Sequence, residues 1–353
     1  MSKLKILYLY SELVGYQMPI FEEYVNYFNA QVYVLYWDKD KLKPYEPKKI
    51  KNVTYYKRSE YSNTNLLNLV NKIRPDIIYV SGWMDKGYLY VTKRMKKKGI
   101  PVVTGFDDIW TGSLRQRFGA LIFPFYFKKY FSHAWIAGLY QFEFAKKMGF
   151  KNDNIIYDLL SADTNIFNSF KQITINNEEK QKSFLYVGNF RKVKGLDILV
   201  KAFDLYRNKY NGSWKLTCVG NGELDHLLKN EHIKVIPFST SEELINISTC
   251  NNVFILPSRH DQWGVVVHEF SSLGMPLLLS DNVGSKTMFF INEFNGLDFD
   301  GNSSENLAQK MCEFENMDNS QLYNMSLNSR ILSLRINPKT SAANFLSIIN
   351  KHK

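Results

Sequence analysis

The first half of the chain alternates short apolar runs with stretches whose apolar residues recur every three or four positions. The apolar runs at 5–10, 31–37, 77–82 and 101–106 predict strands, because buried strands of parallel sheets are nearly continuous apolar segments. Helical periodicity fills 18–28, 65–73 and 89–97, and two further strands are predicted at 133–138 and 154–159. This alternation predicts a Rossmann-like α/β domain.

The second half repeats the same alternation. Strands are predicted at 184–187, 215–219, 233–236, 253–256 and 277–280, with helices between them and near 304–315 and 340–350. The polar stretch 168–182, rich in Asn and Glu, predicts a linker. A length of 353 residues also suits two α/β domains better than one core. We place the boundary between the domains at 165/166.

The most informative segment is 257–276, PSRHDQWGVVVHEFSSLGMP. It predicts a polar turn that carries Asp261, followed by a helix at 265–273 that contains Glu269 and ends at Gly274. The start of a helix offers unpaired N–H groups and the positive end of its dipole, which together favour a diphosphate. The candidate amides are those of Trp263, Gly264, Val265 and Val266. The alternative interpretation makes Asp261 a helix cap and Glu269 a solvated residue.

Two glycine-containing turns accompany this segment. Residues 184–203, FLYVGNFRKVKGLDILVKAF, predict a strand, a turn that begins at Gly188 and Asn189, and a helix from Leu196. Arg191 and Lys194 then lie at the carboxyl end of a strand, where open α/β sheets bind ligands, although an isolated basic turn is more often merely solvated. Gly220 and Gly222, in the run VGNGE, follow the strand 215–219; such turns are common and weakly specific.

Together these segments resemble the retaining glycosyltransferases of family 4, of the bacterial surface-glycan type. That family has a Glu, seven residues and a second Glu before a Gly-x-Pro helix end; here the pair is Asp261 and Glu269. Lys194-Gly195 matches the family's Lys-Gly, whereas the usual Arg five positions earlier is Asn189, so Arg191 is assigned its role. Residues 161–167, SADTNIF, resemble the family's Gly-Val-Asp-x-x-x-Phe segment at the domain boundary. Specific motifs span most of 150–315.

The resemblance implies the GT-B fold, in which two Rossmann-like domains face each other across a cleft. The N-terminal acceptor domain is 1–165, the C-terminal donor domain is 166–335, and a final helix within about 335–353 packs back on the first domain. The Asn295-Gly296 pair resembles the family's hairpin that follows the carboxylate helix.

The implied reaction transfers a hexosyl unit from a nucleotide-diphosphate sugar to a glycan or lipid-linked acceptor, with retention by a front-face mechanism and without a metal or other cofactor. Arg191 and Lys194 neutralise the leaving diphosphate, Asp261 binds a sugar hydroxyl and Glu269 binds the ribose. The remaining donor contacts come from the turn residues Gly15, Gly188, Asn189, Gly220 and Gly222 and from the helix amides named above.

The first domain is expected to hold the acceptor. Asp107 and Asp108 follow the strand 101–106 where many family members have a His-Asp pair, and Phe106 takes the place of that His. Asp107 is the candidate for an acceptor or sugar contact, although adjacent loop carboxylates are more often solvated or capping. The other candidate acceptor residues are Trp83, Asp85, Asp108, Trp110 and Arg115.

Charge is concentrated in the first half. The chain carries a net charge of +11, and up to Asn165 it has 25 Lys and Arg against 15 Asp and Glu. The basic run 91–99 and the cationic, aromatic run 114–131 suit an anionic membrane surface or a lipid-linked diphosphate, and the alternative for 91–99 is an exposed helix end. Nucleic acid is a weaker candidate, because no aromatic-interleaved recognition module is present.

The cellular location is expected to be the cytosol, at the inner face of the plasma membrane. No apolar run approaches the roughly eighteen residues of a membrane span, and no signal cleavage site follows the first residues. The three cysteines are unclustered, which fits a reducing compartment and no zinc site.

Two alternatives stay open. A nucleotide-sugar epimerase of the same fold needs acid and base residues from the first domain, whose only histidine is His133. A scaffold subunit with a decayed donor site is compatible with Asn189, Phe106 and Asp261. A dinucleotide-dependent oxidoreductase is disfavoured, since 5–20 has no G-x-G-x-x-G.

Overall fold

A computed structural model describes residues 3–38, 46–168 and 182–350. The chain divides into two compact units, Met1–Ser161 with Ile336–Lys353, and Ala162–Arg335. The segment 161–167, assigned above to the domain boundary, therefore falls almost entirely in the second unit. All but the end residues of the predicted linker 168–182 lie outside the described part of the chain.

The first unit is built on a seven-stranded parallel sheet with the order β3-β2-β1-β4-β5-β6-β7. Its strands are β1 (Lys5–Tyr10), β2 (Gln31–Tyr36), β3 (Val53–Lys57), β4 (Ile77–Val80), β5 (Val102–Phe106), β6 (His133–Ile136) and β7 (Ile155–Ile156). Its helices are α1 (Met18–Asn26), α2 (Asn63–Ile73), α3 (Lys86–Lys97), α4 (Leu114–Phe127), α5 (Leu139–Lys147) and α13 (Pro338–Asn350).

The second unit has a six-stranded parallel sheet with the order β10-β9-β8-β11-β12-β13. Its strands are β8 (Ser183–Val187), β9 (Lys215–Val219), β10 (Ile233–Ile236), β11 (Val253–Leu256), β12 (Leu277–Ser280) and β13 (Gly296–Phe299). Its helices are α6 (Thr164–Phe167), α7 (Leu196–Asn208), α8 (Ser241–Ser248), α9 (Val265–Ser272), α10 (Lys286–Phe289), α11 (Ser304–Glu315) and α12 (Asn319–Ser333).

Both sheets reverse their strand order once, between β1 and β4 in the first unit and between β8 and β11 in the second. Such a reversal leaves a crevice at the carboxyl ends of the two strands, because the connections on its two sides run in opposite directions. Two parallel sheets with this order confirm the predicted α/β fold of two Rossmann-like domains.

One short segment departs from its predicted structure. The Asn295-Gly296 pair does not form a hairpin: Gly296 begins β13, which pairs with β12 in parallel. The Asn295 side chain is buried, accepting a hydrogen bond from the N–H of Ile291 at 2.8 Å and donating one to the carbonyl of Phe289 at 2.9 Å. A Cβ on Gly296 would lie 1.9 Å from the Leu277 carbonyl oxygen, so close strand packing, and not a turn, requires this glycine.

Helix α13 completes the core of the first unit. Phe345 is fully buried, and its ring lies 5.0 Å from that of Trp135 and 5.8 Å from those of Tyr8 and Tyr24, measured between centroids. The hydroxyl groups of Tyr8 and Tyr24 are hydrogen-bonded to each other at 2.8 Å, so the buried phenols keep a polar partner.

Phe345→Ala is expected to lower the free energy of unfolding by about 3–5 kcal/mol, because it empties a site lined by aromatic rings. Urea unfolding of the full chain measures this loss. Ala343→Ser, on the exposed face of the same helix, is the control and should change stability by less than about 0.7 kcal/mol. Equal effects of the two substitutions would show that α13 adds no packing energy.

Candidate functional site

The turn after β8 and the loop after β11 meet at the strand-order reversal of the second unit. The Nζ atom of Lys194 lies 2.7 Å from Oδ2 of Asp261, and the hydroxyl of Ser258 donates to the same oxygen at 3.3 Å. Asp261 is buried, whereas Lys194 keeps about a third of its side chain exposed. Two of the predicted catalytic residues, which are 67 positions apart, therefore form an ion pair.

Backbone contacts fix the two segments against each other. Gly195 has φ +72°, and a Cβ there would lie 1.8 Å from the carbonyl oxygen of Pro257. The N–H of Arg259 donates to the carbonyl of Val193 at 3.0 Å. Only glycine allows this approach, so the position of Lys194 depends on its neighbour Gly195.

Arg259 adds a second ion pair that sequence reasoning missed. Its guanidinium binds both carboxylate oxygens of Asp197, at 2.5 and 2.8 Å, and holds the pKa of that carboxyl below its usual range. The same guanidinium donates to the Lys192 carbonyl at 2.7 Å. The pairing brings together residues 62 positions apart, for which the sequence contains no local signal.

The N-terminus of α9 opens beside Asp261. Gly264 precedes the helix with φ +82° and without a capping side chain. Within the described part of the chain, the amides of Trp263, Gly264, Val265 and Val266 have no hydrogen-bond acceptor. Four unpaired amides at the positive end of a helix dipole form an arrangement suited to an anion.

Glu269 lies one turn into α9 and is partly buried. Burial, and secondly the nearby carboxyl of Asp163, raise its pKa to about 7. No hydrogen bond to its carboxyl is formed by the residues that the structure describes. A carboxyl that is only half ionised near neutral pH and has free acceptor positions suits a neutral hydroxyl ligand better than a cation.

His268, the residue before Glu269, has a structural role. Its Nδ1 accepts the N–H of Ala162 at 3.0 Å and its Nε2 lies 3.0 Å from the carbonyl oxygen of Ser333, to which it donates. The ring also stacks on Phe289 with 4.1 Å between centroids. These contacts fix a neutral imidazole that joins α9 to both ends of the unit.

The glycine turn after β9 packs on the turn after β8. A Cβ on Gly220 would lie 2.1 Å from the Gly188 carbonyl oxygen, and one on Gly222 would lie 2.6 Å from that of Phe190. Asn189 contributes its carbonyl, which accepts the Tyr186 hydroxyl at 2.8 Å. This packing already explains both glycines, and their contact with a nucleotide stays a prediction.

Arg191 offers the more accessible cation. Its side chain is exposed, and among the described residues its guanidinium has no hydrogen-bond or ion-pair partner. Lys194, in contrast, is already held by Asp261. The candidate site therefore combines one fixed and one free positive charge.

In the first unit, Gly15 and Asp107 lie near the carboxyl ends of β1 and β5. Gly15 begins a short 3-10 helix, fixed by a hydrogen bond from the Val14 N–H to Oε1 of Gln17 at 3.0 Å. Asp107 is exposed. The pKa of Tyr16 is raised mainly by burial of its hydroxyl and secondly by the negative charge of Asp107. Asp107 thus lies near the half-buried Tyr16 at the carboxyl edge of the sheet.

Two of the acceptor candidates have structural contacts instead. Asp85 caps α3, accepting the N–H of Gly87 at 2.7 Å, and it binds the Arg58 guanidinium at 2.8 and 3.1 Å. These hydrogen bonds keep its pKa low even though burial opposes ionisation. Trp83 packs within 6.0 Å of Phe106 and other rings of the core. The geometry favours a structural role for both.

The other acceptor candidates stay predictions. The indole of Trp110 lies 5.7 Å from Nζ of Lys147, Asp108 is partly buried, and Arg115 is exposed on α4. All three belong to the segment after β5, the same edge as Asp107.

Comparison with known proteins supports the resemblance drawn from the motifs. Residues 168–330 match the family described as glycosyl transferases group 1. An uncharacterized glycosyltransferase of Methanocaldococcus jannaschii is 26% identical over 158 residues, an alignment that covers 43% of each chain. The chain thus aligns with less than half the length of this relative. The resemblance to glycosyltransferases is confirmed, whereas family 4 membership stays a prediction.

Solved structures match the whole chain in fold. A glycosyltransferase from Rickettsia africae superposes with a TM-score of 0.77 at 13% identity, covering 99% of both chains. Anabaena HepE in complex with UDP and glucose superposes with a TM-score of 0.71 at 16% identity, covering 98% of this chain and 99% of that chain. The fold is that of the GT-B glycosyltransferases.

Glu269→Gln is expected to stabilise the protein above neutral pH. The folded-state pKa of Glu269, about 7, lies above the ordinary 4.5, so the wild type loses stability as the pH rises from 4.5 through 7. Gln does not ionise and avoids a cost of about 3 kcal/mol, because each unit of pKa difference corresponds to about 1.4 kcal/mol. Melting curves at pH 4, 7 and 8 should show a gain that is nearly absent at pH 4, grows through pH 7 and is almost constant above pH 8. A gain independent of pH would show that ionisation of Glu269 is not its cause.

Proposed function

We propose that this chain, with its glycosyl transferases group 1 segment and GT-B fold, transfers a hexosyl unit from a nucleotide-diphosphate sugar to a glycan or lipid-linked acceptor. The observation that carries the proposal is the Lys194–Asp261 ion pair beside the unpaired amides of α9. A fixed cation and a helix N-terminus at a strand-order reversal form a diphosphate site. The donor proposed first is a UDP-sugar, because Anabaena HepE, of the same fold, is in complex with UDP and glucose.

The donor's parts are assigned to separate groups. Lys194, Arg191 and the α9 amides face the diphosphate, whose charge grows as the anomeric bond breaks, and such preorganised charge stabilisation is usually the largest catalytic contribution. Glu269, with its free acceptor positions, binds the ribose hydroxyls. Asp261 binds a hydroxyl of the transferred hexose, while Lys194 and Ser258 keep its carboxylate oriented.

Transfer proceeds with retention on one face of the sugar. The acceptor oxygen forms its bond to the anomeric carbon as the bond to the diphosphate oxygen breaks, and the departing phosphate takes the acceptor's proton. Arg191 and Lys194 supply the positive charge that the leaving group needs, so we propose that no metal ion takes part.

The first unit is proposed to bind the acceptor through Asp107 and the residues that follow β5. The acceptor class, a surface polysaccharide or its lipid-linked precursor at a membrane face, is supported by the basic and aromatic composition of the first half of the chain. In the described residues no helix is long and apolar enough to cross a membrane.

Thermal stabilisation by nucleoside diphosphates tests the donor site. UDP at a hundred times its dissociation constant should add about 2.7 kcal/mol of stability to the wild type. Arg191→Ala should weaken UDP binding about tenfold and leave the ligand-free melting temperature unchanged, because this exposed guanidinium has no partner. Lys194→Ala should also lower the ligand-free melting temperature, since it leaves the buried Asp261 unpaired.

Lys201→Ala, an exposed cation on α7, is the charge-matched control and should bind UDP like the wild type. Stabilisation that is unaffected by Arg191→Ala and Lys194→Ala would contradict the assigned diphosphate site. UDP binding without release of UDP from a panel of UDP-sugars would favour the scaffold. Conversion of one UDP-sugar to its epimer without an acceptor would favour the epimerase.

A further inference from the structure

Helix α4 of the first unit exposes a continuous apolar stripe. The exposed side-chain fractions are 85% for Leu114, 66% for Phe118, 71% for Leu121 and 85% for Phe125, and Ile122 is also exposed. These positions are three or four residues apart, so they lie on one face of the helix. Large apolar residues are common singly on protein surfaces, but a contiguous patch marks an interaction site.

The opposite face of α4 holds the helix to its own unit. Phe127 is buried, its ring 4.9 Å from that of Trp83, and Phe123 lies 5.2 Å from the same tryptophan. The helix is therefore anchored through one apolar face while a second apolar face remains outside. The stripe is not needed for the packing of the described residues.

Positive charge surrounds the stripe. By helical periodicity Arg115 and Arg117 lie on its two sides, and the exposed Lys128 and Lys129 follow its end. Nζ of Lys96 donates to the Lys128 carbonyl, which joins the basic end of α3 to the same surface. The sequence has no Asp or Glu in 86–106 or in 109–142.

We propose that this α4 surface, the stripe of Leu114, Phe118, Leu121, Ile122 and Phe125 with its flanking cations, docks on an anionic lipid bilayer. The aromatic and aliphatic side chains enter the boundary between headgroups and acyl chains, and the Arg and Lys side chains bind lipid phosphates. Apolar insertion and basic attraction together give the two contributions that stable membrane attachment needs.

A second copy of this chain fits the surface less well. A two-fold interface would place the same patch on both subunits and bring their arginines and lysines together. Like charges that meet across an interface oppose association. The cations that disfavour a dimer are the groups that match a bilayer with anionic headgroups.

The biological purpose of the docking, access to a lipid-linked acceptor, rests on the proposed function. The docking itself is measured apart from donor binding. Docking is measured by flotation of the full chain with two kinds of vesicle. One contains phosphatidylcholine and phosphatidylglycerol, and the other contains phosphatidylcholine alone. UDP-induced thermal stabilisation in solution measures the donor site of the same preparations.

The wild type is expected to float with the anionic vesicles, about tenfold more weakly with neutral ones, and to be released as salt rises. Leu121→Ser combined with Phe125→Ser should reduce anionic binding at least tenfold and leave UDP stabilisation unchanged. Arg117→Gln combined with Lys129→Gln should also weaken binding to anionic vesicles about 25-fold, since each charge contributes roughly fivefold.

Ile331→Ser combined with Leu334→Ser is the matched control, since these residues are 58% and 65% exposed in the second unit, and it should float like the wild type. Absence of flotation at low salt overturns the proposal, as does wild-type flotation of the Leu121 and Phe125 variant. A wild-type dimer that the same variant converts to a monomer, without vesicle binding by either, assigns the stripe to a second copy. Flotation without stabilisation by UDP would support the docking surface and contradict the proposed donor site.

Discussion

The close contact between the turn after β8 and the loop after β11 is the constraint on which the candidate site depends. Gly195 lies against the Pro257 carbonyl, and this contact places Lys194 within 2.7 Å of Asp261. The loop after β11 leads directly into α9, so the same contact positions the amides and Glu269. A side chain at Gly195 would move the cation, the carboxylate and the helix start together.

The two carboxyl groups of the candidate site have different surroundings. Asp261 is buried and forms an ion pair with Lys194. Glu269 is enclosed without a cation and near Asp163, and its pKa rises to about 7. The two environments agree with separate roles: Asp261 is oriented by Lys194 and Ser258, whereas the carboxyl oxygens of Glu269 have no partner among the described residues.

The sequence predicts the fold well where hydrophobic periodicity and motifs coincide. The central strands and α9 follow from local patterns, and the position of the basic turn at the carboxyl end of a strand agrees with the rule for ligand sites in open sheets. The ion pair of Lys194 with Asp261 is seen only in the structure, because its residues are 67 positions apart. The edge strand β3 escapes prediction because all its positions are exposed or half-exposed, so it lacks the continuous apolar run of a buried strand. Helix α4 escapes because apolar residues occupy both of its faces, which removes the period that identifies a helix.

The functional residues of the first unit are harder to infer than those of the second. Asp85 is a carboxylate that follows a strand end, as a ligand-binding residue would be. Its oxygens, however, cap helix α3 and bind Arg58. Only the three-dimensional pairing reveals this, because Arg58 lies 27 positions away. Asp107 is exposed, and its role in binding the acceptor stays a prediction.

Helix α13 has a consequence for how the chain folds during synthesis. Its residues are made after the whole of Ala162–Arg335, yet Phe345 completes the aromatic core of the unit that is made first. Domains generally fold as units while the chain grows. All the strands of the second unit are therefore synthesised before the helix that packs on Tyr8, Tyr24 and Trp135 of the first. A chaperone that binds exposed aromatic segments would meet this half of the nascent chain first.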